Sequence, residues 1–334
     1  MTVNKIGRNA DIGLALGSGA ARGLAHIGVL KALKDKGIPI NLISGSSMGA
    51  LVGACFAREG DISELEELAL RTDWMQLIKL ADPNLAFMLK GFIHGHKVKE
   101  LLKTIIGDVR FEDLRIPLAV VATDINTGDE VVIKEGSVIE AVRASISVPA
   151  IFAPVRLLGR FLIDGGIVNP VPVGVVREMG ASFVIACNVI HALRDRRSVS
   201  VENRAGELSL GVSGWKHNVS FKTLDDKIAT LMHENKDKLR DFNTLIDSFK
   251  KKFFKSEALL EVDMPNVFDT IINAIYIMEY EIAKSNMREA DLAIIPDTRR
   301  ISSLEFHRSK EAIHCGYHAA MAVLENGAIS FWKE

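Results

Sequence analysis

The sequence predicts an α/β fold in which a mostly parallel sheet is covered by helices on both faces. Two observations predict it. Short apolar runs alternate with stretches of helical periodicity, the trace that strand–helix–strand crossovers leave in a sequence. The same alternation returns near the C-terminus after a long interruption, so one sheet is left and then re-entered. A chain of 334 residues has room for one large α/β domain with an insertion or for two ordinary domains. The returning strand pattern favours the first.

In chain order, residues 12–16 form an apolar run and 25–35 its helix; 40–43 form the second run, followed by a helix over 48–58. Further runs fall at 118–122 and 183–189. From about 191 to 262 the strand pattern stops. "LRDRRSVSVENRAGELSLGVSGWKHN" reads as a long loop, and Leu224, Ile228, Leu231, Leu239, Phe242, Ile246 and Phe249 then give an amphipathic helical stripe that ends in "KKKFFK". "ADLAIIPD" at 290–297 is one more strand, and 303–324 a closing helix. The expected organisation is a core over 10–190, an insertion over 191–262 and the rest of the same domain over 263–330.

Composition narrows the function classes. Lys and Arg total 41 against 42 Asp and Glu, a net charge of −1, so nothing draws the whole chain to nucleic acid. The N-terminal stretch carries no secretory h-region and no apolar run of membrane-spanning length, and the expected location is cytoplasmic. Cys55, Cys187 and Cys315 are widely separated, with neither disulfide nor metal-ligand spacing, and read as small buried hydrophobes.

Two turns carry chemistry. In "DIGLALGSGAARGLAHIGVLKAL" a strand passes through a glycine turn into a helix, so unpaired backbone N–H groups and the positive end of the helix dipole face one place. A dinucleotide is disfavoured, because Gly17, Gly19 and Gly23 give G-x-G-x-x-x-G and the next strand ends in "ISGSSMG" where a ribose-binding acid belongs. No Gly-Lys-Ser/Thr follows, which disfavours a P-loop. The remaining readings are a packing turn or an oxyanion hole with donors near Gly19 and Ala20; Arg22 holds the loop or meets a phosphate headgroup, and a solvated or salt-bridged arginine fits as well. The second turn, Gly45-Ser46-Ser47-Met48-Gly49, satisfies G-x-S-x-G with a strand before and a helix after. It presents Ser47 at the strand's carboxyl end, with the Met48 N–H free to join the oxyanion hole.

A serine nucleophile needs a base. His26 lies in the first helix, His94 and His96 in a loop, and His307, His314 and His318 on the last helix; none is bracketed by glycines at a strand end. Asp124 and Asp164 do stand at strand ends. Asp164 is preferred because Gly165 and Gly166 let its backbone approach another loop, whereas Asp124 in "TDINTGD" also fits a turn organiser.

The glycine turn with Arg22-Gly23, "AHIGVLKAL", Gly45-Ser46-Ser47-Met48-Gly49, "RASISVPAIFAP" and Asp164-Gly165-Gly166, in that order, resemble the patatin-like phospholipase family, particularly its compact bacterial branch. The resemblance runs from about 12 to 173 and continues more loosely beyond; the stretch 191–262 has no assigned counterpart. It implies a three-layer α/β/α sandwich and a Ser-Asp dyad without histidine, Ser47 and Asp164. It also implies lipid acyl hydrolysis through an acyl-enzyme, the glycine turn as oxyanion hole, and no metal or other cofactor. Of the family's Gly-Gly-Gly-x-Arg/Lys-Gly, Ser18 and Ala20 replace two glycines and Gly19 is kept. The rivals are an acyltransferase or thioesterase with the same nucleophile, or a lipid-binding regulatory protein of the same fold.

An enzyme acting on bilayer lipids must reach an interface. Phe249, Phe253 and Phe254 among Lys250, Lys251, Lys252 and Lys255 suit a peripheral contact with the inner membrane surface. A solvated helix end whose phenylalanines cover the core or a partner subunit fits the residues as well, so an oligomer is an open expectation.

Overall fold

A computed structural model of the chain describes residues 10–71, 96–149, 151–193 and 267–325. Eight strands form one sheet: β1 (Ile12–Leu16), β2 (Leu42–Ser46), β3 (Leu118–Asp124), β4 (Glu130–Ile133), β5 (Val155–Leu157), β6 (Arg160–Asp164), β7 (Phe183–Cys187) and β8 (Leu292–Ile294). The order is β5-β6-β3-β2-β1-β7-β8, with β4 also paired to β3. From β3 through β8 the neighbours are parallel, while β4, β5 and β6 run antiparallel to their partners. The helices are α1 (Ala25–Asp35), α2 (Met48–Glu59), α3 (Ser63–Arg71), α4 (His96–Ile106), α5 (Val138–Ser145), α6 (Val173–Glu178), α7 (Val267–Asn286) and α8 (Ser309–Glu325). The result is the expected α/β sandwich.

The central strands β1, β2, β3 and β7 are buried on both sides, and the two-residue period of a strand divides their residues between separate cores. Ile12, Leu14 and Leu16 enter the larger core with α1, α2 and α8, while Ala15 enters the smaller one with Val173 and Val176 of α6. β7 repeats the pattern, with Phe183, Ile185 and Cys187 on the first face and Val184 and Ala186 on the second. Burial on both faces is why these strands read as unbroken apolar runs.

Helices α1 and α8 cross in close contact at two glycines. A Cβ at Gly28 would stand 1.9 Å from the Ile313 carbonyl oxygen, and one at Gly316 would stand 1.9 Å from that of Ala25. Backbone cannot retreat as a flexible side chain would, so Gly28→Ala should destabilise by about 3 kcal/mol, read as a lowered urea midpoint at unchanged m-value.

Several boundaries differ from the sequence reading. The second strand runs over Leu42–Ser46 rather than 40–43: Asn41 is tied to Ile12 by its N–H and its Oδ1, both at 2.9 Å, and the ladder continues through polar Ser44, whose hydroxyl donates to the Pro172 carbonyl at 2.8 Å. The strand expected over 183–189 ends at Cys187, where the carbonyl turns to accept the Gly17 N–H. The last helix begins at Ser309 rather than 303, because Ile301 and Ser303 use their carbonyls on Arg22 and the Ala21 N–H. Helix α7 lies within the segment expected to complete the domain.

Residues up to 202 and from 271 onward form one compact unit, and 203–270 another. The amphipathic stripe Leu224 to Phe249 and the Phe249 to Lys255 segment lie outside the described residues. Among the described residues no helix is long and apolar enough to cross a membrane, and no three His, Cys, Asp or Glu side chains gather as metal ligands do.

Candidate active site

Sheet register brings the two motif ends together. β3 pairs Val121 with Ser46 of β2 and its next residue, Ala122, with Asp164 of β6. The carboxyl ends of β2 and β6 therefore occupy adjacent rungs of one strand. A Cβ at Gly165 would fall 2.2 Å from the Val121 carbonyl oxygen and 2.8 Å from Ser46 Oγ, so only glycine lets the chain turn there.

Ser47 fills the whole turn between β2 and α2, at φ 52° and ψ −120°. A non-glycine residue in that region carries strain of about 1–3 kcal/mol, which the surroundings must hold. They do so through glycine and a hydrogen bond. A Cβ at Gly49 would meet the Leu16 carbonyl oxygen at 2.1 Å, and one at Gly45 the Ala50 nitrogen at 2.6 Å. The Ser47 N–H donates to Ser145 Oγ at 2.8 Å, which gives a role to the first serine of "SIS" that the motif alone did not reveal.

The Ser47 hydroxyl donates to Asp164 Oδ2 at 2.6 Å, and the other carboxylate oxygen, Oδ1, accepts the Gly166 N–H at 2.7 Å. The Asp164 backbone is fixed as well, its N–H on the Ser147 carbonyl at 3.0 Å and its carbonyl on Thr123 Oγ1 at 2.8 Å. Burial pushes the Asp164 carboxyl up to about 6, against the opposing pull of the Ser47 and Gly166 hydrogen bonds. Ser46 is buried with its hydroxyl unpaired among the described residues.

The glycine turn packs on the start of α2: a Cβ at Gly23 would lie 2.4 Å from Met48 Cγ. Within the turn, the N–H groups of Gly17, Ser18, Ala21 and Arg22 donate to Cys187, Pro170, Ser303 and Gly19 carbonyls. The N–H groups of Gly19 and Ala20 have no such acceptor among the described residues, and no side chain caps α2 above Met48. Ala20 sits at φ 49°, a left-handed position where the resembled pattern has glycine. Ala20→Gly should therefore raise the unfolding free energy by about 1 kcal/mol, measured by chemical denaturation.

Arg22 is fully buried; Nε donates to the Ile301 carbonyl at 2.7 Å and Nη2 to Ser303 Oγ at 2.8 Å, with the guanidinium 4.8 Å over the Tyr276 ring. Of its sequence readings this is the loop-holding one: a fully buried guanidinium is not solvated, and the headgroup contact loses its basis. Asp124 accepts the Asn126 N–H at 3.0 Å and pairs with Arg160 at 3.2 Å, so it organises the turn after β3 and does not reach Ser47. His26 is also structural. Its Nε2–H donates to the Gly17 carbonyl at 2.7 Å, which leaves Nδ1 to accept from the Cys187 thiol at 3.1 Å, and burial lowers it to about 4, so the ring is neutral.

One residue at the site was not anticipated. Glu279 of α7 approaches from the other side of Gly166, with Oε2 3.4 Å from Ser18 Oγ. A Cβ on Gly166 would lie 2.6 Å from Ser18 Oγ, 2.7 Å from Glu279 Oε1 and 3.0 Å from Asp164 Oδ1. Glu279, one of two glutamates in "IYIMEYEIAK", has no local signal; only the packing of α7 reveals it.

Residues 14–177 match the family model described as patatin-like phospholipase. An uncharacterised NTE-family protein of Mycobacterium tuberculosis is 39% identical over 178 residues, covering 53% of this chain and 49% of that one. Neuropathy target esterase sws of Drosophila melanogaster is 37% identical over 187 residues, 54% of this chain and 13% of that protein. Patatin-like phospholipase domain-containing protein 6 of Homo sapiens is 36% identical over 183 residues, 53% and 13% respectively. The match thus spans about half the length of the mycobacterial relative and a small part of the two animal ones.

Proposed function

Residues 14–177 belong to the patatin-like phospholipase family, and from that premise we propose that the chain is a serine hydrolase of lipid carboxylic esters working through an acyl-enzyme. The observation that carries the proposal is the 2.6 Å hydrogen bond from Ser47 to Asp164, beside a turn with uncommitted N–H groups. In this reading Asp164 accepts the Ser47 proton as the serine oxygen attacks the ester carbonyl carbon. The displaced π electrons become an oxyanion held by the N–H groups of Gly19, Ala20 and Met48, at the positive end of α2. Collapse of the intermediate breaks the ester C–O bond, and the leaving alkoxide takes the proton from Asp164. Water, deprotonated in turn by Asp164, attacks the acyl-serine and releases the fatty acid with Ser47 restored.

A lipid substrate is favoured by the surface at the same end of the sheet. Beyond the rung that pairs Asp124 with Leu162, the exposed residues include Ile125, Leu158 and Phe161, an apolar tip suited to an interface. Contact with a membrane through this tip and through Phe249 to Lys255 is part of the proposal. Incubation with phosphatidylcholine and lysophosphatidylcholine vesicles, with CoA and a short alcohol present as competing acceptors, tests it. Free fatty acid as the Ser47-dependent product supports hydrolysis; acyl-CoA or a new ester as the main product would make the chain a transferase, and no turnover of any lipid would overturn the reading.

A further inference from the structure

Two carboxyl groups converge on Gly166, Asp164 Oδ1 at 3.0 Å and Glu279 Oε1 at 2.7 Å from the position of a Cβ there. They arrive from different parts of the fold, one at the end of β6 and the other on α7. Around Glu279 stand Ser18 from the turn after β1, Asp164 and Gly166 from the end of β6, and Tyr276 one turn earlier on its own helix. Among the described residues the cation that offsets its charge is Arg22, whose guanidinium also meets Ile301, Ser303 and the Tyr276 ring. Two enclosed carboxylates this close cannot both carry charge cheaply, so one keeps a proton.

Resting on the hydrolase reading above, we propose that Glu279 is a positioning residue for the Ser47–Asp164 pair: it stands as the neutral, proton-holding partner, and its ionisation shuts the site down on the alkaline side. Burial and the Asp164 charge push Glu279 up to about 8, above Asp164, while the Ser18 hydrogen bond and Arg22 pull the other way. Over the interval between them Asp164 is ionised and able to take the serine proton, and Glu279 is neutral. When Glu279 loses its proton, a second negative charge faces the place where the oxyanion must form. Serine attack then builds negative charge against negative charge, while Asp164, held by Ser47 and the Gly166 N–H, must take its proton in an altered field.

The pH profile of kcat/KM on a soluble p-nitrophenyl ester, with the rate of fluorophosphonate labelling as a second readout, tests this in the full chain. Wild-type activity should fall roughly 25-fold between about pH 7.5 and pH 9.5, and E279Q, which fixes the neutral form, should lose that alkaline limb while keeping the acid limb near 6. An alkaline limb that persists unmoved in E279Q overturns the assignment. Should E279Q fail to melt cooperatively, S18A decides. Removing the hydroxyl that lowers Glu279 moves the limb to higher pH if the proposal holds and leaves it in place if it does not. A wild-type protein whose labelling does not depend on Ser47 would overturn the hydrolase reading itself and not merely the role of Glu279.

Discussion

Ser47→Ala lowers kcat on any ester the protein turns over by about 10⁴–10⁶-fold and abolishes labelling by a fluorophosphonate. The size follows from position. Ser47 is the residue at the strained turn, its hydroxyl 2.6 Å from a carboxylate oxygen and its own N–H held by Ser145. No neighbour can substitute: Ser46 is fully buried one residue earlier, with its hydroxyl unpaired among the described residues, and Ser145 is committed to the Ser47 backbone. Ser46→Ala, which removes a buried hydroxyl lacking a partner, should leave labelling intact and stability unchanged to within about 1 kcal/mol. The two adjacent serines thus give opposite outcomes in one assay.

Asp164→Asn lowers kcat by about 10³–10⁴-fold, since an amide keeps the geometry but cannot accept the serine proton. The same change should stabilise the protein at neutral pH. The Asp164 carboxyl is raised from its ordinary value of 3.8 to about 6 in the fold, so proton binding favours the folded state. That contribution is fully present below about pH 4 and is lost as pH rises through about 6. Above that point the wild type must hold a buried charge that asparagine does not carry. The variant's advantage should therefore be on the order of 2 kcal/mol at pH 7.5 and shrink toward zero at pH 4, read from thermal or urea unfolding at the two values. Equal stability at both pH values would mean that Asp164 ionises as readily in the fold as in the unfolded chain. A loss of activity joined to a gain of stability is the signature of a residue placed for chemistry.

Much of this arrangement is legible in the sequence because it is local. A strand, a glycine turn and a helix lie within one short stretch at Ile12 to Asp35, and again at Leu42 to Glu59, so apolar period and glycine spacing mark both. Asp164 is legible by its two glycines, whose purpose the structure supplies: Gly165 crosses the Val121 carbonyl and Gly166 donates to the carboxylate. What escaped depends on long-range packing. The antiparallel hairpin β5–β6 is short and half exposed, with no buried run to announce it. The strand end is polar because Ser44 donates to the Pro172 carbonyl and Ser46 faces Gly165, so an apolar criterion stops three residues early. Arg22 looked suited to a headgroup because a cation at a glycine turn is ambiguous until Ile301 and Ser303, some 280 residues away in the chain, fold onto it. Glu279 reaches the site by a still less visible path, on helix α7, more than 100 residues along the chain from Asp164.

The most direct test of the central claim is intact-mass and peptide mapping of the protein after a fluorophosphonate chase, carried out on wild type and Asp164→Asn side by side. The account predicts one adduct per chain on the peptide bearing Ser47, formed much more slowly in the variant. An adduct on any other residue, or one that forms on Ser47 at the same rate without the Asp164 carboxylate, would contradict it.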